Sequence, residues 1–456
     1  MTASDAERAV LTGWGRTPVS AAAVARPEDR SELVAAARSA PPRGLIARGL
    51  GRSYSDAAQC AGGLVVDCTA VTEVGAVDST SGVLTVDAGT SFDQLLRRLV
   101  PEGWCVPVTP GTRHVTMGGA IAADVHGKNH HRDGSIGRHV RSLTLWTPAG
   151  GVATASPDDP GSRDLFWATV GGMGLTGVIL DASLALLPIE TAYMRVSTER
   201  AADLDAAMAL MTTGDDEYRY SVAWIDLLAT GRAMGRSVLT RADHAVSDDL
   251  AGRRRARPRA YAPRPLATVP PWTPGGLLNR ASIRAFNELW FRKAPSTRRD
   301  EVQSIPAFFH PLDGVGAWNR LYGRTGCLQY QFVVPFGEEA AVHRSVELIS
   351  ASGCSSFLAV LKRFGSATPG PLSFPMPGWT LAVDIPAQVP GLARLLDRLD
   401  DVVVEAGGRV YLAKDARLRP HLLAKMYPEL DAWREVRERV DPQRVLQSDL
   451  SRRLGL

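Results

Sequence analysis

The chain has 456 residues, of which 45% are hydrophobic and 22% charged, and its formal net charge is +4. That length exceeds one hydrophobic core and calls for two domains or three, in an ordinary globular composition. The small, dispersed charge gives no nucleic-acid footprint, and five scattered cysteines exclude a disulfide framework and suit a reducing compartment. The N-terminus lacks the cationic-then-apolar pattern of a secretory signal, and no run of eighteen apolar residues is present to span a bilayer. A cytoplasmic protein, or one peripheral at the plasma membrane, is expected.

In chain order, residues 31–40 pattern as a helix stopped by Pro41 and Pro42. Residues 63–67 and 82–87 read as strands, the second by clear alternation. Ser91 with Gln94 forms a capping box, and Phe92, Leu95, Leu96 and Leu99 give the helix behind it an apolar stripe closed by Pro101 and Gly103. Residues 140–147 read as a strand. Beyond Pro188 the composition shifts. A helix is predicted over 201–211 and an aromatic, β-branched strand over 218–225. Strands follow at 328–334, 356–360, 380–385 and 409–414, with helices at 336–350 and 392–405. This order is that of an α+β domain on an antiparallel sheet.

Two segments concentrate chemistry. Residues 46–56 read IARGLGRSYSD, and residues 107–131 read PVTPGTRHVTMGGAIAADVHGKNHH. Gly49 and Gly51 let backbone N–H groups approach a pyrophosphate, and Gly111, Gly118, Gly119 and Gly127 repeat that freedom. Ser53, Thr112 and Thr116 add hydroxyls. Tight turns account for the same glycines, and Arg52-Ser53-Tyr54 lacks the third glycine of a dinucleotide fingerprint. His126, Lys128, His130 and His131 crowd four nitrogen-bearing side chains into six residues. No metal is expected, because the cysteines have no ligand spacing and no paired histidines carry the glutamate of a zinc hydrolase. Residues 252–264 hold six arginines and no acid, followed by Leu266, Trp272, Leu277 and Leu278. This segment reads either as a mobile loop resting on anionic lipid or as a solvated excursion.

These segments, together with ELWFRK (288–293), HPLD (310–313), LQYQFVVP (328–335), PLSFPMPGW (371–379), YLAKDAR (411–417) and VDPQRVLQSDLSRRL (440–454), resemble the vanillyl-alcohol-oxidase-type FAD-linked oxidoreductases. Within them, the likeness is to the actinobacterial branch that oxidises the ribose 2'-hydroxyl of a polyprenyl-phosphoryl sugar. The resemblance implies a two-domain α+β fold. Residues 1–190 and 408–456 would form the FAD-binding domain, and residues 191–407 a substrate domain on an antiparallel sheet. The implied product is a 2'-keto sugar. An NAD(P)H-dependent reductase would return it with inverted configuration, giving the arabinose donor for cell-wall synthesis, and a quinone or another acceptor would reoxidise the flavin.

Many relatives attach FAD covalently through a histidine where this chain has Tyr54, so noncovalent FAD is implied. Lys414, His126 and Tyr54 are the implied catalytic groups, with Lys414 at the reacting alcohol as base or as cation. Lys128, Trp224, Gln329, Gln331, Lys362, Thr380 and Ala382 are implied at the substrate. The cofactor set is Arg48, Gly49, Gly51, Arg52, Ser53, Tyr54, Pro110, Gly111, Thr112, Thr116, Gly118, Gly119, Ala122, His126, Gly127, Asn129, Gly177, Val178, Tyr411 and Lys414. Thr380 and Ala382 replace the branch's asparagine and cysteine, which leaves the identity of the sugar open. An oxidase of a soluble sugar, aldonolactone or nucleotide sugar is the alternative.

Overall fold

Three larger sheets organise the computed structural model, which describes residues 6–354 and 356–456. The first has strand order Glu7–Thr12, Val19–Ala25, Leu64–Asp67, Leu45–Arg48. Leu64, Val65 and Val66 form a continuous apolar run because their strand has parallel partners on both sides and is buried on both faces. The helix Arg30–Arg38, capped by the Asp29 carboxylate, covers it with Leu33, Ala36 and Ala37. The second sheet is antiparallel, in the order Val83–Asp87, Val178–Ala185, Val140–Thr147, Gly151–Ala155. The helix Phe92–Glu102 packs its predicted stripe against it, and both arms of the Ser91–Gln94 capping box are made. Pro101 is tolerated inside the last turn, and Gly103 ends the helix at φ +90°.

The third sheet has eight strands, every pairing antiparallel: Thr297–Ser304, Tyr193–Ala201, Ser237–His244, Tyr220–Ile225, Ala359–Phe364, Gly378–Pro386, Cys327–Pro335 and Arg409–Val410. The helices Glu339–Ala351 and Leu392–Glu405 cover one face with Val342, Val346, Leu395 and Leu399. Strand alternation sends Tyr330 and Phe332 into that core and Gln329 and Gln331 to the opposite face.

Several elements depart from the sequence pattern. The helix predicted from 201 starts at Leu204, because Asp203 caps it and Ala201 ends a strand. The strand predicted over 356–360 runs Ala359–Phe364 and so carries Lys362. The strand predicted over 409–414 stops after Val410, and the chain turns, with Lys414 N–H donating to Tyr411 O at 2.9 Å. Thr297–Ser304 was invisible to pattern: TRRDEVQS has no apolar alternation, as suits a solvent-facing edge. The arginine-rich segment is tied to the body. Residues Gly252–Ala256 form a short helix, Arg254 donates to Val302 O at 2.9 Å, Arg259 to Glu190 O at 3.1 Å, and Pro263 O accepts from Arg97 at 2.7 Å.

A clasp draws distant segments together. Arg453, on the helix Asp449–Leu454, donates to both oxygens of Asp56 at 3.0 and 3.1 Å and to Asp415 at 2.8 Å. Both carboxylates are buried. The clasp thereby fixes the loop that follows Tyr54 and the turn that carries Lys414. Arg453→Leu should cost about 3 kcal/mol, because it strands two buried carboxylates. The thermal unfolding midpoint should fall, and adding Asp56→Asn and Asp415→Asn should recover part of the loss. An unchanged midpoint in the single variant would show that the clasp is not structural.

Candidate active site

A cavity of about 850 Å³ lies between the two glycine-rich segments and the open face of the large sheet. On the first side, the segments touch. A Cβ on Gly49 would lie 2.1 Å from Thr116 Oγ1, so only glycine allows the approach. A Cβ on Gly118 would lie 2.8 Å from that of Ala88. Gly111 faces open space. Arg48, Gly51, Ser53, Pro110, Gly119, Ala122, Gly127 and Gly177 line the same wall. Arg48 is already engaged, donating to Ala58 O at 2.9 Å and Thr12 O at 2.7 Å. Thr112 lines the cavity with its hydroxyl committed to Asp313 at 2.7 Å. Arg52 lies 3.8 Å over the Trp14 ring, and its Nε is buried without a partner.

Three expected residues stand behind the wall. The Asn129 amide donates to Pro107 O at 2.9 Å and to Asp133 at 2.6 Å, which braces the segment 107–129. Val178 is buried with Leu45, Leu64 and Trp146 because its strand turns it into that core. Thr380 is buried under Gln331, donating to Phe332 O at 2.8 Å and accepting from the Gln331 amide at 3.2 Å. Thr380 therefore orients Gln331 and does not face the cavity.

On the sheet side, cross-strand register gathers the chemistry. Gln331, Ala382, Val360 and Trp224 are successive partners across four strands, and all line the cavity. In the adjacent rows Gln329 pairs with Asp384, and Thr380 with Lys362. Trp224 is held by its indole N–H, which donates to Phe357 O at 3.1 Å.

His126 lies where the two walls meet, against Phe364 and Tyr411. Lys362 Nζ is 3.2 Å from His126 Nδ1, and the Gln331 amide is 2.9 Å from Nε2. The ring tautomer follows from which of these two partners donates to it. Burial, then Lys362, pulls the imidazole well below its ordinary range, so it stays neutral. Burial draws Lys362 down to about 7, and Lys128 and Lys414 reinforce the shift. Lys128, which donates to Phe308 O and lies 4.2 Å over the Phe308 ring, is drawn down to about 7 by burial. His130 and His131 point elsewhere: His130 Nδ1 accepts from Gly365 N–H, and His131 Nε2 meets the carbonyls of Asp215 and Tyr218.

Lys414 Nζ lies 4.3 Å from the centre of the Tyr54 ring. The Tyr54 hydroxyl donates to Asp384 Oδ2 at 3.1 Å and accepts from the Gln329 amide at 3.1 Å. The same amide donates to Asp384 Oδ1. Burial pushes the Asp384 carboxyl up and the Lys414 ammonium down, and each opposes the other's shift. The Tyr411 hydroxyl donates to Ala123 O at 2.7 Å and fixes the turn.

Sequence reasoning passed over Asp384. The signal was the period of two that singles out Thr380 and Ala382, which continues to a carboxylate in a strand buried at every position. It also passed over Asp124, whose buried carboxylate accepts from Ser135 at 2.8 Å, Thr368 at 2.9 Å, Gly137 N–H at 3.0 Å and Ser373, tying the second segment to the loop around residue 373. No local pattern marks that role.

The wall of glycines, the unpartnered Arg52 and the excess of buried cations fit a dinucleotide with a pyrophosphate. Residues 21–156 match the FAD binding domain family, and residues 384–454 match the D-arabinono-1,4-lactone oxidase family. The chain is similar to decaprenylphosphoryl-β-D-ribose oxidase of Mycolicibacterium smegmatis, 45% identical over 98% of this chain and 97% of the relative. It is 23% identical to L-gulono-1,4-lactone dehydrogenase of Mycobacterium tuberculosis, over 98% of this chain and 99% of that one. Cytokinin dehydrogenase 2 of Arabidopsis thaliana is 29% identical over 31% of the chain and 28% of its own length. The fold is the two-domain vanillyl-alcohol-oxidase-like α+β architecture, FAD is the cofactor, and the protein is an FAD-dependent oxidoreductase. By its near-complete match in length and its level of identity, the chain belongs to the decaprenylphosphoryl-β-D-ribose oxidase family of FAD-binding enzymes.

Proposed function

We propose that the protein oxidises the 2'-hydroxyl of a polyprenyl-phosphoryl ribose to the 2'-keto sugar, using noncovalent FAD. Buried Lys128 and Lys362 carry the proposal. Neither has a carboxylate to offset its burial, and both line the cavity beside the Gln329 and Gln331 amides. A phosphodiester supplies the missing negative charge, and the amides pair with sugar hydroxyls. The FAD-binding part is assigned to residues 1–190 and 408–456, with 191–407 as the substrate domain.

Bound FAD would supply the acceptor for the hydride of the carbinol carbon. The protein's own groups manage the proton and the geometry. Lys414, held neutral more readily by burial, takes the hydroxyl proton. Tyr54, locked by Asp384 and Gln329, fixes the side on which Lys414 stands. Neutral His126 couples Lys362 to Gln331, so the phosphate contact and the sugar contact are set together. Ala382 leaves room where a larger residue would crowd the ring, and Trp224 forms an apolar wall.

The keto sugar is then reduced by an NAD(P)H-dependent reductase with inversion, which completes an epimerisation toward the arabinose donor of the cell wall. Electrons leave to a quinone or another acceptor. Among the described residues, no helix is long and apolar enough to cross a membrane. The arginine-rich surface and the exposed Leu266 and Trp272 support a peripheral contact with anionic lipid. The lactone-oxidase match over residues 384–454 favours a second reading, oxidation of a soluble sugar lactone. Anaerobic bleaching by lipid-phosphoryl ribose and not by free sugars or aldonolactones supports the first reading, and the reverse pattern the second.

Denaturation should release all the FAD to the supernatant, because Tyr54 is a buried phenol held by hydrogen bonds. Flavin that stays on the precipitated chain would contradict this. Lys414→Ala should keep FAD and slow substrate-dependent bleaching by about 10²-fold or more. The parent's bleaching rate should rise with pH and level off above the lowered Lys414 value, whereas a rate that falls with pH would make Lys414 a cation and not a base.

Lys128 and Lys362 must be protonated to hold phosphate, so affinity for an unreactive phosphoryl ribose should weaken as pH rises through about 7. Above that pH, binding should take up protons, as calorimetry in buffers of different ionisation heat would detect. Zero proton uptake would remove both lysines from the phosphate site.

A further inference from the structure

The helix Arg280–Lys293 is anchored along one side. Ile283 and Asn287, four residues apart, are its buried positions, and the Asn287 amide donates to Asp226 at 2.7 Å. Phe286, Leu289 and Trp290 are 42%, 68% and 43% exposed. A helix that only had to be soluble would carry polar residues there. Phe286 and Trp290 also line the cavity, with near-parallel rings 6.0 Å apart. The aromatic surface continues inward from them. Phe286 meets Phe357 at 6.1 Å, Phe357 meets Trp318 at 6.2 Å, and Phe357 O is the acceptor that holds Trp224. Trp224 stands in the same strand row as Gln331. A run of aromatic residues, joined to Trp224 through the Phe357 carbonyl, therefore leads from the buried amides and lysines to the solvent-facing helix. Lys293, at the end of that helix, also lines the cavity.

A soluble sugar gains nothing from such a wall. A sugar joined through phosphate to an apolar chain has a polar head for the cavity, a charge for the lysines and a hydrocarbon tail that must be covered as it leaves. Contiguous exposed apolar surface that begins inside a substrate cavity marks a binding track. We infer that the wall from Trp224 through Phe357 to Phe286 and Trp290 binds the isoprenoid chain of the substrate itself and selects lipid-linked over soluble phosphoryl sugars. The inference rests on the proposed lipid-phosphoryl substrate.

The test compares the parent with F286A/W290A on methylphosphoryl ribose and on a water-soluble prenylphosphoryl ribose of three isoprene units. The parent should prefer the prenyl ester, and the variant should lose about tenfold of that preference in kcat/KM, chiefly through KM. Equal losses on both esters, or an unchanged preference, would overturn the inference. FAD content and the thermal midpoint show whether the variant is folded. Binding of prenyl phosphate without sugar, followed by tryptophan fluorescence, separates this inference from the functional proposal. Weaker binding by the variant supports the track even if neither ester is oxidised, an outcome that would defeat only the reaction assigned above. Equal binding by parent and variant would defeat the track even if both esters are turned over.

Discussion

Buried positive charge without an internal counter-ion is the constraint that organises this molecule. Arg52, Lys128 and Lys362 are drawn out of water, and burial lowers the proton affinity of each. Interiors accept such groups when something else supplies the opposite sign. Asp313 stands near Arg52 but is committed to Thr112 and Arg113, and Asp384 is committed to Tyr54 and Gln329 beside Lys414. The remaining charge must come from what binds. In the proposed function, an FAD pyrophosphate on the glycine side and a substrate phosphate on the sheet side would divide that demand between them. The same constraint explains why His126 is neutral: another cation there would find no partner, and a neutral ring can still pair with both Lys362 and Gln331.

The architecture separates holding from reading. The glycine-rich segments approach closely because two positions lack a side chain, and they provide a wall of backbone with little specificity. In the proposed function discrimination falls to the large sheet, where alternation and register stack an amide, a small residue, an aliphatic residue and an indole across four strands. Ala382 is the position in that row with the least bulk. Thr380 acts one layer deeper, through the amide it supports. Substitution there would alter the aim of Gln331.

Much of this was legible in the sequence, and the reasons differ by element. The strand 140–147 and the helix 392–405 are strongly patterned, and their predicted bounds match the structure. The capping box at Ser91 is a local motif with local causes, so it too was readable. The edge strand Thr297–Ser304 was not, because its two faces are both polar and only pairing with Tyr193–Ala201 makes it a strand. The turn after Val410 was read as strand because YLAK is apolar enough to continue one. Tertiary bonds to Gln331 O and Ala123 O end it instead. Glycine and basic residues marked the cavity walls. The residues that brace those walls, Asn129, Asp124 and Asp384, carry no sequence signal of their distant partners.

The Arg453 clasp has a consequence for how the protein is made. Its hydrogen bonds to Asp56 close a loop of 397 residues, and the segment around Asp56 is one of the two that form the glycine-rich wall of the cavity. A ribosome produces that segment long before its clasp. Until that helix emerges, the buried Asp56 and Asp415 lack the cation they share, although Tyr54 N–H to Ala413 O and Ser55 to Asp415 O also join the two segments; long-range closure of this kind is slow because the chain entropy is lost before the contact forms. Assembly of this wall is therefore tied to emergence of the helix Asp449–Leu454, and the interval before closure is when the buried apolar strands beside it are most open to mispairing.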